Sequence, residues 1–217
     1  MENIKKSWRD VTINKYYELK AALEEAEAEY EKAVKRIAFV YDMSEDDVWN
    51  LDIATFRSYN AETSWMDKFD IDDKIKFKTI ELDGVKYNVD TNLQKFTVAQ
   101  YVDFQTFFPK MKTEPKYMGN VLACFLIPVG KKYADGYDIQ KLVETINEHL
   151  DIMTANEIVF FFLKSYLISI RVMVNYFNWM MRRLMRRAKD KAKMAEMQAE
   201  WEVTKKNILD GFRSLIR

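Results

Sequence analysis

The chain has one cysteine, Cys124, among its 217 residues, so it can form no intramolecular disulfide and no zinc site built on several thiolates. A reducing compartment suits such a chain. Histidine is as scarce: His149 is the only one, which leaves little for acid and base chemistry near neutral pH. Three prolines and five glycines are few for this length, and sheet-rich folds, which draw on both residues at their turns, are thereby disfavoured. Net charge is also lacking, since 34 basic side chains face 34 acidic ones, so no global field steers the chain to nucleic acid. Met1 to Asp10 is polar and no apolar run follows, so no cleavable leader is expected. Apolar residues supply 48% and aromatics 14% of the chain, enough for a real core.

The pattern predicts a mainly α fold, a helical bundle with one small β-hairpin and a long C-terminal helix. Three regions are expected: residues 1–66 as an N-terminal helical region, 67–150 as the hairpin plus helices, and 151–217 as a long helical region, first apolar and then basic. Tyr16, Leu19, Leu23, Ala26, Tyr30, Ala33, Ile37 and Val40 recur at steps of three and four, which predicts one long helix over Ile13 to Tyr41. Its glutamates precede its lysines, an order that complements the helix dipole. Ser44 to Asp47 reads as a capping box opening a short helix through Trp49, and Asp52 as the cap of another through Tyr59.

Acids gather at Asp67, Asp70, Asp72 and Asp73 in a connector, without the spacing of a calcium loop. Two alternating segments follow, Ile75 to Ile80 and Val85 to Val89. Asp83-Gly84 between them supplies the positive φ angles of a tight hairpin turn. A lone hairpin is marginal in water, so it is expected to pack on helices or to join strands of a neighbouring subunit. Thr97 to Gln100 is a second capping box, for a helix that Pro109 should stop near Phe108, with a loop over Lys110 to Lys116. Tyr117 to Ile127 reads as a buried helix ended by Pro128, residues 130–136 as a polar turn, and Asp138 as the cap of a helix to about Leu150. Thr154 to Glu157 reads as a third capping box. No glycine or proline follows until Gly211, so the helix it opens can be very long.

Ile158 to Met181 has the length of a membrane span, but Lys164 and Arg171 lie inside it, each costing about 2.5 to 3.5 kcal/mol at a bilayer centre. A helix buried by other helices or subunits is the expectation, and a membrane is not. Phe160, Phe161, Phe162 and Trp179 are the apolar candidates for contact with partners, because apolar residues surround this helix more widely than one neighbour can cover. Lys164, Arg171, Asn175, Asn178 and Arg182 fall on one stripe. Arg182, Arg183, Arg186, Arg187 and Lys189 open a segment to Lys193 in which seven cations stand against Asp190. Such a cluster can meet phosphates or anionic headgroups, or pair with acids such as those of residues 24–31. No phosphate-cradling glycine loop and no serine elbow occurs, Cys124 reads as a small core residue, and no catalytic, cofactor or metal site is expected.

Ser7 to Leu19, Ile37 to Val40 and Ser44 to Leu51 together resemble the start of tail-assembly-chaperone-like proteins of tailed bacteriophages. Leu82 to Tyr87, Phe96 to Phe104, Cys124 to Pro128 and Lys131 to Asp138 are similar to related proteins from phages of Bacteroidetes, including crAss-like phages. The likeness spans residues 7 to 170. It implies a non-enzymatic virion protein of the portal and tail region, assembled in the host cytoplasm, homo-oligomeric and in contact with other phage structural proteins. It also allows contact of the basic segment with phage DNA. The long basic C-terminal helix departs from the small chaperones, which favours a retained component over the first alternative, a tail assembly chaperone that leaves before completion. A small membrane-associated protein is the second alternative.

Overall fold

A computed structural model describes residues 4–69, 78–92, 95–187, 196 and 198–206; of Arg182, Arg186 and Arg187 it describes the backbone alone. The fold is mainly α with a small antiparallel sheet. It divides into two compact units, at Phe161 and Phe162.

The expected single N-terminal helix is two. Helix α1 spans Ile13–Glu25 and α2 spans Glu29–Tyr41. The chain turns between them because the Glu31 carboxylate reaches back to accept from the backbone N–H groups of Glu27 and Ala28, at 3.0 and 3.3 Å. Those two donors would otherwise be spent inside a continuous helix. The break carries Tyr30 out of the apolar stripe to the surface, while Val34, Ile37 and Ala38 stay buried against Val48.

Helix α3 spans Glu45–Trp49, capped by Ser44, whose hydroxyl accepts from the Asp47 N–H at 3.1 Å. Helix α4 spans Ile53–Glu62, and the Asp52 carboxylate accepts from Ala54 and Thr55. Each cap satisfies donors that the first turn leaves open, for about 1 kcal/mol. Tyr41 stacks on Tyr59 with ring centres 4.0 Å apart and closes the α2–α4 contact. Of the connector acids, Asp67 pairs with Arg36 at 3.2 Å, whereas Asp70, Asp72 and Asp73 lie outside the described residues.

The hairpin forms where it was expected. Strand β1 is Thr79–Leu82, β2 is Val85–Val89, and Asp83 and Gly84 take φ of 47° and 72° at the turn. Residues 75–77 of the anticipated first strand lie outside the described residues. The sheet gains a third strand from the same chain: β3, Leu126–Pro128, pairs antiparallel with β2, placing Ile127 opposite Asn88. The expected helix over 117–127 is therefore shorter, α6 at Met118–Ala123. Asp90 N–H donates to the Phe125 carbonyl and Val129 N–H to Lys86, bonds that a helix through Ile127 would forbid. Pro128 tolerates its place because β3 is an edge, where the missing donor faces away from the ladder.

Thr97 does cap a helix with Gln100, but Pro109 does not end it. Helix α5 runs Val98–Thr113 through the proline, and a 3-10 turn, Pro115–Tyr117, replaces the rest of the expected loop. The turn before Pro109 is fixed by aromatic packing: Phe104 stacks on Phe108 at 4.9 Å and Phe107 on Tyr117 at 5.9 Å. The Lys110 ammonium lies over the rings of Phe107 and Tyr117. Helix α7, Ile139–His149, is capped by Asp138 as expected, and α6 packs between α5 and α7.

The third capping box is not one. Helix α8, Ile152–Arg187, starts three residues earlier, and Asp151 accepts from the Thr154 N–H at 2.8 Å. Thr154 and Glu157 are buried and turn toward Arg9, whose guanidinium donates to the Thr154 hydroxyl at 3.3 Å and to the Glu157 carboxylate. Arg9 is placed by a cap of its own. Asp10 accepts from the Lys6 and Ser7 N–H groups, and Ser7 from that of Arg9. The N-terminal segment is thus a strap. Val11 accepts from Ile152, Leu150 from Ile13, the Phe39 carbonyl from the Lys5 ammonium, and the Lys68 carbonyl from the Trp8 indole.

Candidate interaction surface

Helix α8 from Phe162 onward belongs to the second unit, with a helical segment at residues 198–206. One face of α8 meets that segment. The Phe177 and Trp201 rings lie 4.3 Å apart, and the Trp201 indole donates to the Asn178 side chain at 2.9 Å. Val174 is buried on this unit's core side.

A different face is left uncovered. Ile168, Val172, Tyr176 and Trp179 are 55%, 62%, 60% and 53% exposed and follow one another at steps of four, four and three, so they form a single stripe. Tyr176 and Trp179 rings sit 5.9 Å apart. Arg183 continues the stripe with its guanidinium 5.4 Å from the Trp179 ring centre, a cation over an aromatic face. Exposed Lys164 and Asn175 lie along the neighbouring edge. An apolar row with a polar margin is the composition of a helix that packs on another protein surface.

The residues expected to form this surface separate. Trp179 and Arg183 lie on the stripe. Phe160 is 40% exposed, Phe161 half-buried, and Phe162 fully buried, so the three consecutive phenylalanines share no face, as a helix requires of neighbours in sequence. Arg182, Arg186 and Arg187 occupy the last turns of α8, and Lys189 lies outside the described residues. Sequence reasoning missed Ile168, Val172 and Tyr176. Their spacing to Trp179 was available as a signal, but it was submerged in a segment where almost every position is apolar.

Among the described residues no helix is long and apolar enough to cross a membrane. No cluster of three metal-ligating side chains occurs among them either. Cys124 is fully buried, and burial pushes its thiol up to about 12, so it holds its proton at neutral pH. Close by, the Tyr133 hydroxyl donates to the Asp103 carboxylate at 2.6 Å, and burial raises its pKa further. His149 ends α7 at the surface, 4.0 Å from Glu148. No protein-family model matches the chain, and no curated protein or solved structure was found to be similar to it.

Proposed function

We propose that this chain is a non-enzymatic structural protein of a tailed-phage virion, built into the portal and tail region as one of several copies. The resemblance of the stretches from Ser7 to Leu51 to tail-assembly-chaperone-like proteins, and of those from Leu82 to Asp138 to related proteins from phages of Bacteroidetes, suggests the phage context. The observation that carries an assembly role is the uncovered row of Ile168, Val172, Tyr176 and Trp179. Leaving four large apolar side chains in water forgoes about 1.5 to 3 kcal/mol for each that a partner could bury fully. A helix serves that cost best when neighbouring subunits cover it. The strap through Arg9 and Glu157 supports the same reading, because it holds the root of α8 rigidly within the first unit.

The basic continuation of α8 gives the assembly a second kind of partner, the packaged DNA, through charge alone. The test is a mass-spectrometric inventory of purified particles. A structural component appears there in a fixed number of copies. A chain present in lysates during assembly and absent from finished particles is a tail assembly chaperone instead, and that result would reject the proposal.

A further inference from the structure

A groove of about 360 Å³ lies between α2 and α4 in the first unit, well away in sequence from the stripe on α8. Its lining mixes apolar side chains, Tyr30, Ala33, Ile53 and Phe56, with charged and polar ones. Tyr30 and Phe56 stack with ring centres 6.5 Å apart, and Ile53 stands 62% exposed at the rim. Three cations border it, Lys32, Arg36 and Arg57, against the single carboxylate of Glu29. Lys32 already pairs with Glu29 at 2.8 Å and Arg36 with Asp67. Arg57 is exposed and makes no ion pair among the described residues, and Nε of Arg36 is buried without a hydrogen-bond partner. The groove therefore offers aromatic surface and one cation, Arg57, that makes no ion pair among the described residues.

The complement is present in the same sequence. In the helical segment 198–206 and just before it, Glu196, Glu200 and Val203 are exposed and fall at steps of four and three, on one face. Glu202 pairs with Lys205 at 2.8 Å, whereas Glu196 and Glu200 make no ion pair among the described residues. Two carboxylates that lead to an apolar side chain on one face match a groove in which a free cation stands beside aromatic rings, although Lys206 follows Val203 three residues on.

We propose that the α2–α4 groove receives the acidic face around Glu196, Glu200 and Val203 of a second copy of this chain. Val203 lies against Tyr30 and Phe56, and Glu200 meets Arg57. Groove and helix are different surfaces, so the contact is head-to-tail: each copy that donates its C-terminal helix keeps an open groove for the next. Such contacts close into rings or extend as filaments. This proposal names a partner for the assembly component described above and rests on that reading. It can fail while incorporation into particles stands.

The test mixes two full-length variants, one carrying Asn60→Cys at the groove and the other Val203→Cys on the helix, under mild oxidation. Asn60 lines the groove, and buried Cys124 does not compete. Mass spectrometry then reads the disulfide between positions 60 and 203, which in this mixture can join only separate copies. The expected result is that this link dominates over 60–60 and 203–203 links. It should fall about tenfold when the groove copy also carries Arg57→Glu, and return when the helix copy carries Glu200→Arg. Circular dichroism of each variant verifies its helix content. A 60–203 link no more abundant than the symmetric ones, or one that Arg57→Glu leaves unchanged, overturns the proposal.

Discussion

The guanidinium of Arg9 donates to the carboxylate of Glu157 across 148 residues of sequence, and so ties the N-terminal strap to the first turns of α8. The Glu157 side chain is 4% exposed and the Arg9 side chain 51%, so the two ends of the pair are not equivalent. Removing the arginine strands a buried carboxylate. Arg9→Ala should therefore lower stability by about 1 to 3 kcal/mol, below the full value of a buried pair because water screens the exposed half. Glu157→Gln, which keeps an acceptor without the charge, should cost less. Urea unfolding of both variants measures the difference, and equal costs would show that the charge of Glu157 is solvated despite its burial.

Packing between α6 and α7 makes a sharper demand. A Cβ at Gly119 would stand 2.5 Å from Oδ1 of Asn147, closer than side chains approach. Gly119→Ala should cost about 1 to 3 kcal/mol by overpacking, and Asn147→Ala in the same chain should recover much of it. At Gly84 the space is open, so Gly84→Ala should cost only the backbone strain of a φ of 72°, about 1 to 2 kcal/mol, with no rescue available. Thermal melts of the two single variants and the double variant separate these cases.

Alkaline pH should destabilise the first unit. Burial pushes Cys124 up from 9.0 to about 12 and Tyr17 from 10.0 to about 12, and it raises Tyr16 and Tyr87 as well. These groups keep their protons longer in the folded state than in the unfolded one. Their contribution is complete below about pH 9, and it is lost as pH rises toward about 12, because the unfolded chain binds fewer protons there. Unfolding free energy measured from pH 8 to 11 should fall steadily. The Cys124 thiol should also resist alkylation at pH 8 until denaturant is added.

What the sequence made legible was the chemistry of near neighbours. Ser44, Asp52, Thr97 and Asp138 cap helices because each needs only the backbone two or three residues on. Asp83 and Gly84 turn the hairpin for the same reason. The misreadings concern distant partners. Thr154 and Glu157 have the spacing of a cap, but Arg9 claims both. Leu126 to Pro128 continues an apolar run without interruption, and only β2, nearly forty residues earlier, makes it a strand. Pro109 stays inside α5, where Phe107 and Phe108 just before it stack on Tyr117 and Phe104, contacts that the sequence order alone does not announce. At the candidate surface the helix was legible and its uncovered face was not, since exposure of Ile168, Val172 and Tyr176 depends on which side the segment 198–206 covers.

Sedimentation velocity of the full chain across a concentration series, beside the variant carrying Val172→Asp and Trp179→Asp, tests the central claim most directly. Both positions are exposed, so the variant should keep its helix content. The account predicts that the wild-type chain self-associates and that the variant does so at least about tenfold more weakly, the equivalent of about 1.4 kcal/mol. A wild-type chain that remains monomeric at high concentration, or a variant that associates as the wild type does, would contradict it.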